Sequence, residues 1–507
     1  MAPVSGVHKH KLDWAVSGLY LDRLTPHQQD VTRTLAGAFE KAGAELHLVG
    51  GVVRDAILKL AIPADLDFAT SAAPARTREL LDAGGATSVY LVGERFGTVG
   101  AVFSEPSHRL NVEITTYRRE VYPDQTRFPA VAFDATLADD LARRDFTMNA
   151  IAIDASTGVM FDPWGGEADI ALSRIRAVGN PDERFSEDPL RLLRAARFVS
   201  QLGFSLDWET EKAMKRRAGS LARISQERIL AELTRLLVGP YVDHGLDALR
   251  RTGLLQVALP EMAMLASEAA TDFTSRIGRE KELWDHTLRV VSQSPPRPAV
   301  RWAALLHDAG KPMTRSVSHD GEVHFFGHER ASAGLATRAL ERLNADKALL
   351  SSVRTLVDLH GRPSAYDAAW TASAVRRLAL DAGDAWEDLL DLAAADVTSG
   401  RQRKQIEAAR RVSGLRARFL HLQEQTELAR LESPLDGNDL MRMFDRPPGP
   451  WIKRVKEHLR ELVIDGALKP DDQDAAAEIA KQFLAAGDTT SKLATTSPAR
   501  SGLGATR

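Results

Sequence analysis

The chain has 507 residues, more than one hydrophobic core usually holds, so three or four domains are expected. Its 66 basic and 69 acidic side chains leave a formal net charge of −3, so a polyanion would have to be held by local basic faces and not by bulk charge. Zero cysteines exclude disulfides, thiolate zinc sites and cysteine nucleophiles, and suit a reducing compartment. The opening MAPVSGVHKHKLDW has no apolar run to act as a secretory leader, and no stretch approaches the ~20 apolar residues that cross a bilayer. Mean hydropathy is −0.23. The expectation is a cytoplasmic protein with no membrane contact.

In chain order, residues 1–30 read as a lead-in and 31–165 as a small mixed α/β head. LHLVG, DLDFAT, SVYLVG, GTVGAVF, RLNVEITTY and MNAIAID are β-rich segments punctuated by Gly and Asp. In LHLVGGVVRDAIL a strand enters a Gly50–Gly51 turn and then a helix. Glycine lets backbone approach an anion, and Arg54 adds a fork donor suited to phosphate. Asp65 and Asp67 lie two apart on a strand, so both carboxylates project to one face. Held so close they repel unless divalent cations lie between them, and Mg²⁺ prefers such oxygen ligands. Glu113, flanked by apolar residues in NVEIT, is the expected third carboxylate. RRDFTMNA sets Arg144, Asp145 and Asn149 just before an apolar segment, with Asn149 expected to hold local backbone.

From about 185 onward the pattern is helical, apart from a turn in SVSHDGEVHFF (316–326). The divisions expected are a helical neck and RNA- or nucleotide-binding region (166–270), an HD-type helical domain (271–420), a helical C-terminal region (421–485) and a disordered tail (486–507). Asp188-Pro189 is a helix start, which makes Asp188 and Arg191 neighbours on one face. An Asp acceptor beside an Arg fork can pair with the Watson–Crick edge of a base, and Arg194 and Arg197 continue the row towards a triphosphate. Lys215, Arg216 and Arg217 form the basic cluster expected to touch RNA. Further on, His286, His307, Asp308, His328, His360 and Asp396 suit a divalent transition metal or Mn²⁺. Lys311 is close enough to bind a phosphate there, whereas His319 and His324 read as structural. Taken singly, each motif also reads as a turn, a cap or a surface ion pair.

It is the order that decides. GGVVRD (50–55), DLDFAT (65–70), VEITTYR (112–118), RRDFTMNA (143–150), DPWGG (162–166), EDPLRLLRAARF (187–198) and QERILAEL (226–233) follow one another over about 180 residues. Together they resemble the class II CCA-adding tRNA nucleotidyltransferases and the related bacterial poly(A) polymerases, over roughly 40–240. The later His/Asp set resembles an HD-type phosphohydrolase, over roughly 280–400. The resemblance implies an α+β protein: a nucleotidyltransferase head followed by a largely all-α neck, HD domain and C-terminal region. It implies transfer of CMP, CMP and AMP from CTP and ATP to the tRNA 3′ end, without a nucleic-acid template and with release of pyrophosphate. Asp65, Asp67 and Glu113 would serve catalysis with Mg²⁺, Arg144 the triphosphate, Asp145 the ribose 2′-hydroxyl, and Asp188 with Arg191 the choice of base. The segment 118–133 matches the family's flexible loop but is slightly short, which leaves a CC- or A-adding specialist open. A poly(A) polymerase is disfavoured by GERFGTVG (93–100) and by the HD set. A chiefly hydrolytic HD protein with a nucleotide-sensing head is disfavoured by the intact carboxylate triad.

Overall fold

The computed structural model describes residues 20–92, 97–105, 108–121, 130–267, 283–397, 402–424 and 432–493. The chain divides into two compact units, Met1–Leu350 and Ser351–Arg507. In the first, a reciprocal capping box between Thr25 and Gln28 opens α1 (Pro26–Lys41). Then come β1 (Leu46–Val49), α2 (Gly51–Ile57), β2 (Asp65–Thr70), α3 (Pro74–Ala83), β3 (Ser88–Val92), β4 (Thr98–Glu105) and β5 (His108–Thr116). A short hairpin, β6 (Arg119–Val121) and β7 (Ala130–Ala132), leads to α4 (Leu137–Ala142), β8 (Ala152–Asp154), β9 (Met160–Phe161) and α5 (Gly166–Ala171). Seven strands make one mixed sheet in the order β3-β4-β5-β2-β1-β8-β9.

Strand alternation settles which face is covered. Leu66 and Phe68 of β2 are buried together with Leu35, Phe39 and Leu81, where α1 rests on β1 and α3 on β4 and β5. Asp65 and Asp67 alternate with those core residues and remain on the open face. MNAIAID departs from the expected strand: Thr147–Asn149 is a turn of 3₁₀ helix and only Ala152–Asp154 pairs with β1. Side-chain bonds compete with the ladder there. Thr147 Oγ1 donates to buried Asp169 at 2.6 Å, and Asn149 Nδ2 to Asp145 at 3.1 Å. The DPWGG motif supports the same turn, since Asp162 accepts from the N–H groups of Gly166 and Glu167 that open α5.

The rest of this unit is largely helical, as expected, with two short two-stranded pairs at 174–175 with 205–206 and 316–317 with 323–324. Its main helices are α6 (Pro181–Glu187), α7 (Leu190–Leu202), α8 (Trp208–Arg217), α9 (Gln226–Leu237), α10 (Val242–Arg251), α11 (Leu283–Gln293), α12 (Pro298–Leu306) and α13 (His328–Arg342). Helix α7 buries Leu192, Leu193, Ala195, Ala196 and Phe198 and packs against α9 and α10. Proline ends one helix and opens the next between Gln293 and Pro298, as its missing N–H and fixed φ dictate. The division between units falls inside α14 (Lys347–Leu359), within the stretch read as one HD-type domain.

The second unit holds α15 (Ala372–Ala382), α16 (Trp386–Ala395), α17 (Gln402–Glu424), α18 (Gly437–Phe444), α19 (Pro450–Ile464) and α20 (Gln473–Leu493). Leu440, Val455, Leu459, Ala476 and Ala480 form a core of its own. One expectation is corrected here. Residues 486–493, read as part of a disordered tail, continue α20. An Ala-rich run with Lys and Gln has high helix propensity, and Ala476 and Ala480 anchor it to the core. Residues 494–507 lie outside the described residues. No described helix is long and apolar enough to cross a membrane.

Candidate active site

Strands β2 and β5 run parallel in a register that sets Asp65 beside Asn111 and Asp67 beside Glu113. Sheet pairing thus delivers the third carboxylate to the face that carries the first two. Asn111 Nδ2 donates to Asp65 Oδ1 at 2.9 Å. Burial of its carboxyl, and then the Glu113 charge, push Asp67 up to about 6, with Arg144 opposing and Asp65 adding to the rise. Three carboxylates crowded on one face are mutually destabilising. An all-oxygen set of this kind fits a hard divalent cation.

Gly50 has φ +77, a conformation glycine adopts readily. A Cβ there would stand 3.3 Å from Arg144 Nη1 and 3.8 Å from Asp67 Oδ2, so the turn lies directly against both. From it starts α2, whose Arg54 donates through Nη1 to Asn149 Oδ1 at 2.9 Å. Asn149 donates in turn to Asp145, and Arg194 Nε donates to the other Asp145 oxygen at 2.7 Å. Asn149 therefore bridges two elements, beyond the local backbone role expected of it. Burial alone would raise the Asp145 carboxyl; the Arg194 charge, with bonds from Asn149 and Arg194, holds it at about 2. Arg143 and Arg144 share the buried Asp140 at 2.5 and 3.1 Å.

Phe198 fixes the arginine row from below. The guanidinium carbons of Arg197, Arg54 and Arg194 lie 4.5, 5.2 and 5.5 Å from its ring centre. Arg197 pairs with buried Glu232 at 3.1 Å. Burial and the Arg194 charge still lower it to about 10. The cleft over these residues has a volume of about 590 Å³, and eight arginines line it against three aspartates. Such an excess of planar fork donors suits a polyphosphate.

Asp188 and Arg191 both line this cleft, but not as a mutual pair. Asp188 accepts from the Leu190 N–H and from Arg228 Nη2, each at 3.1 Å. Arg191 donates to Glu187 at 2.7 Å and to the carbonyls of Arg184 and Arg143 at 3.1 and 2.8 Å. Three of the five N–H donors an arginine carries are so engaged. Sequence reasoning missed Arg228 and Arg235 on α9, which also line the cleft; Arg228 lies within QERILAEL, which was counted among the ordered motifs without a role for its arginine. Gly51 lines it too. At the end of α8, Lys215 pairs with Glu211, and Arg216 and Arg217 with Asp182.

A second cluster lies in the same unit. His286 Nε2 and His307 Nε2 are 3.2 Å apart, and Asp308 Oδ2 stands 3.3 and 3.2 Å from them. His328 Nε2 lies 3.4 Å from Asp308 Oδ1. The Nδ1 atoms of His307 and His328 each donate to a backbone carbonyl at 2.8 Å, of Ala304 and Phe325. A carbonyl can only accept, so Nδ1 carries a proton in both rings and Nε2 is the nitrogen each could offer to a metal. Lys311, expected near a phosphate, stands 2.5 Å from Asp308 Oδ2. In the second unit, buried His360 donates through Nδ1 to Val357 O at 2.7 Å, and Asp396 follows α16. His324 lies in a two-strand hairpin, stacked on Phe326.

Carboxylates crowded beside a polyphosphate cleft, on a mixed sheet followed by helices, define a nucleotidyltransferase. Residues 46–176 match the family model described as Poly A polymerase head domain, and 203–265 the model described as Probable RNA and SrmB-binding site of polymerase A. Residues 263–401 match the HD domain. The chain is 33% identical over 430 residues to the CCA-adding enzyme of Geobacillus sp. (strain WCH70), covering 84% of this chain and 90% of that protein. With the CCA-adding enzyme of Geobacillus stearothermophilus it shares 31% over 434 residues, or 85% and 91%. The solved Bacillus stearothermophilus CCA-adding enzyme in complex with CTP superposes with a TM-score of 0.64 at 26% identity, covering 92% of this chain and 100% of that one. The chain belongs to the CCA-adding enzyme family.

Proposed function

We propose that this protein is a cytoplasmic enzyme that adds CMP, CMP and AMP to the 3′ end of tRNA from CTP and ATP, releasing pyrophosphate. The observation that carries the reading is the register that seats Glu113 beside Asp67, next to an arginine-lined cleft. In each addition the primer O3′ bonds to the α-phosphorus while the bond to the β-phosphate oxygen breaks. The hydroxyl proton goes to solvent. Asp65, Asp67 and Glu113 would hold Mg²⁺, which lowers the pKa of the attacking hydroxyl and neutralises charge on the triphosphate. Arg144 and Arg194 meet the phosphates, Gly50 and Gly51 let backbone approach them, and Asp145 takes the ribose 2′-hydroxyl. The exposed ends of Lys215, Arg216 and Arg217 exchange their carboxylate partners for tRNA phosphates.

The deciding assay incubates tRNA lacking its terminal trinucleotide, and tRNA ending in CC, with CTP, with ATP, and with both, and sequences the ends. CCA with both nucleotides and CC with CTP alone are expected. Products ending at CC with both nucleotides present would make it a CC-adding specialist, addition of A only to tRNA already ending in CC an A-adding one, and a run of A a poly(A) polymerase.

Asp188 and Arg191 select the base. Replacing either by alanine should raise misincorporation of UMP and GMP, since one good bidentate contact is worth about 1–3 kcal/mol of discrimination. Competition between CTP and UTP measures it, and an unchanged ratio removes the pair from base selection.

The His286, His307, Asp308 and His328 cluster favours a second reading for its own region, a divalent-metal site for phosphoester hydrolysis. His307→Ala should cut retained metal, read by elemental analysis after dialysis, by more than about tenfold. CMP incorporation should remain within twofold of the parent.

A further inference from the structure

The sheet register carries the active-site row further than the carboxylates. Asp67 pairs with Glu113, Glu113 with Gly100 on β4, and Gly100 with Tyr90 on β3. Paired residues on neighbouring strands project to the same face, so Tyr90 stands on the open face at the end of the row. Strands lie about 4.8 Å apart, which puts Tyr90 on the order of 10 Å from the Glu113 column. The ring reaches over Gly100, about halfway across that gap. A Cβ on Gly100 would fall 2.5, 2.6 and 3.0 Å from Tyr90 Cε2, Cζ and Oη, the distal atoms of the ring. Only a residue without a side chain lets the phenol lie across β4 towards Glu113. Tyr90 is 42% exposed.

The nucleotide cleft lies to the other side. It is lined from Gly50, Arg54, Asp67, Asp145, α7 and α9, and by nothing from β3, β4 or β5. In an in-line displacement the attacking and leaving oxygens stand on opposite sides of the α-phosphorus. With the triphosphate among the arginines, the attacking 3′-hydroxyl has to arrive over β5 and β4.

We propose that Tyr90 is a primer-side binding residue, its ring stacking on the terminal nucleotide of the RNA 3′ end beside Glu113. Gly100 is the residue that makes room for it. This inference rests on the nucleotidyl-transfer reading above, and steady-state addition of CMP to tRNA lacking its terminal trinucleotide tests it. Tyr90→Ala should raise KM for the tRNA by about tenfold, within the range for losing one base stacked on an aromatic ring. KM for CTP should stay unchanged, and Tyr90→Phe, which keeps the ring, should match wild type. If Tyr90→Ala does not fold, Tyr90→Leu, which keeps apolar bulk without the stacking face, carries the same expectation. A tRNA KM within twofold of wild type in the non-aromatic variant overturns the proposal. So does an equal rise in KM for CTP, the signature of a residue that merely supports the sheet. A wild-type enzyme that adds nothing to this tRNA, nor AMP to tRNA ending in CC, would instead sink the nucleotidyl-transfer reading itself.

Discussion

Replacing Asp67 by asparagine should lower CMP and AMP addition by roughly a thousandfold or more, the scale expected when several kcal/mol of metal-assisted stabilisation is lost. The same change should raise the melting temperature of the metal-free protein. Both effects come from one arrangement. Asp67 is flanked by Glu113 on the next strand and by Asp65 on its own, and its carboxyl is raised to about 6. A raised carboxyl binds its proton more tightly in the folded state than in the unfolded chain. Stability attributable to it is therefore present below about pH 4, is lost as the pH rises towards 6, and stays lost above that. Because Asp67 stands on the open face, solvent screening reduces the penalty to about 1 kcal/mol or less. Thermal unfolding in chelator between pH 4 and 7 is the measurement. The parent should weaken across that window, and Asp67→Asn should flatten the curve. A variant with activity within tenfold of the parent would remove Asp67 from the reaction, and an unchanged pH curve would show that neither burial nor the neighbouring carboxylates strain it.

The parts of this site legible in the sequence are those set by local periodicity. Asp65 and Asp67 share a face because strands alternate, and the Gly50–Gly51 turn shows because a strand pattern stops where a helix pattern begins. Glu113 could be named from its apolar flanks, but its neighbour is fixed only by the parallel pairing of β2 with β5. What stayed hidden depends on long-range partners. Nothing within EDPLRLLRAARF says that Arg191 turns to the carbonyl of Arg143, or that Asp188 receives Arg228 from another helix. In MNAIAID the strand pattern was overruled by Asp169, which draws Thr147 out of the ladder. Residues 486–493 were misread because they carry few core-forming side chains, while a helix already anchored to a core continues through them.

Asp145→Ala should lower both the stability of the first unit and its affinity for nucleotides. Asp145 is 8% exposed and joins three elements of the site: it accepts from Arg194 on α7, from Asn149 in the 3₁₀ turn, and through Asn149 it is tied to Arg54 on α2. Its carboxyl is held at about 2, so the native state favours the ionised form. That depressed value corresponds to roughly 2 kcal/mol of stability, present above about pH 4 and lost as the pH falls through 2. Truncation costs at least this much, because it also leaves the Arg194 guanidinium facing Arg197 over the same Phe198 ring without its counter-charge. Arg194 is partly open to solvent, which keeps the total below that of a fully buried pair. The conservative variant separates the two losses. Asp145→Asn retains an oxygen that can accept from Asn149 or Arg194, so it should recover part of the stability. It does not restore the charge that holds Arg194 towards the cleft, so KM for CTP and ATP should stay raised, by about tenfold for one lost charge-assisted contact. Urea unfolding at pH 7 and at pH 3, alongside KM for each nucleotide, measures both. A parent protein equally stable at the two pH values, or an Asp145→Asn variant with unchanged KM, would show that this carboxylate neither braces the cleft nor positions its arginine.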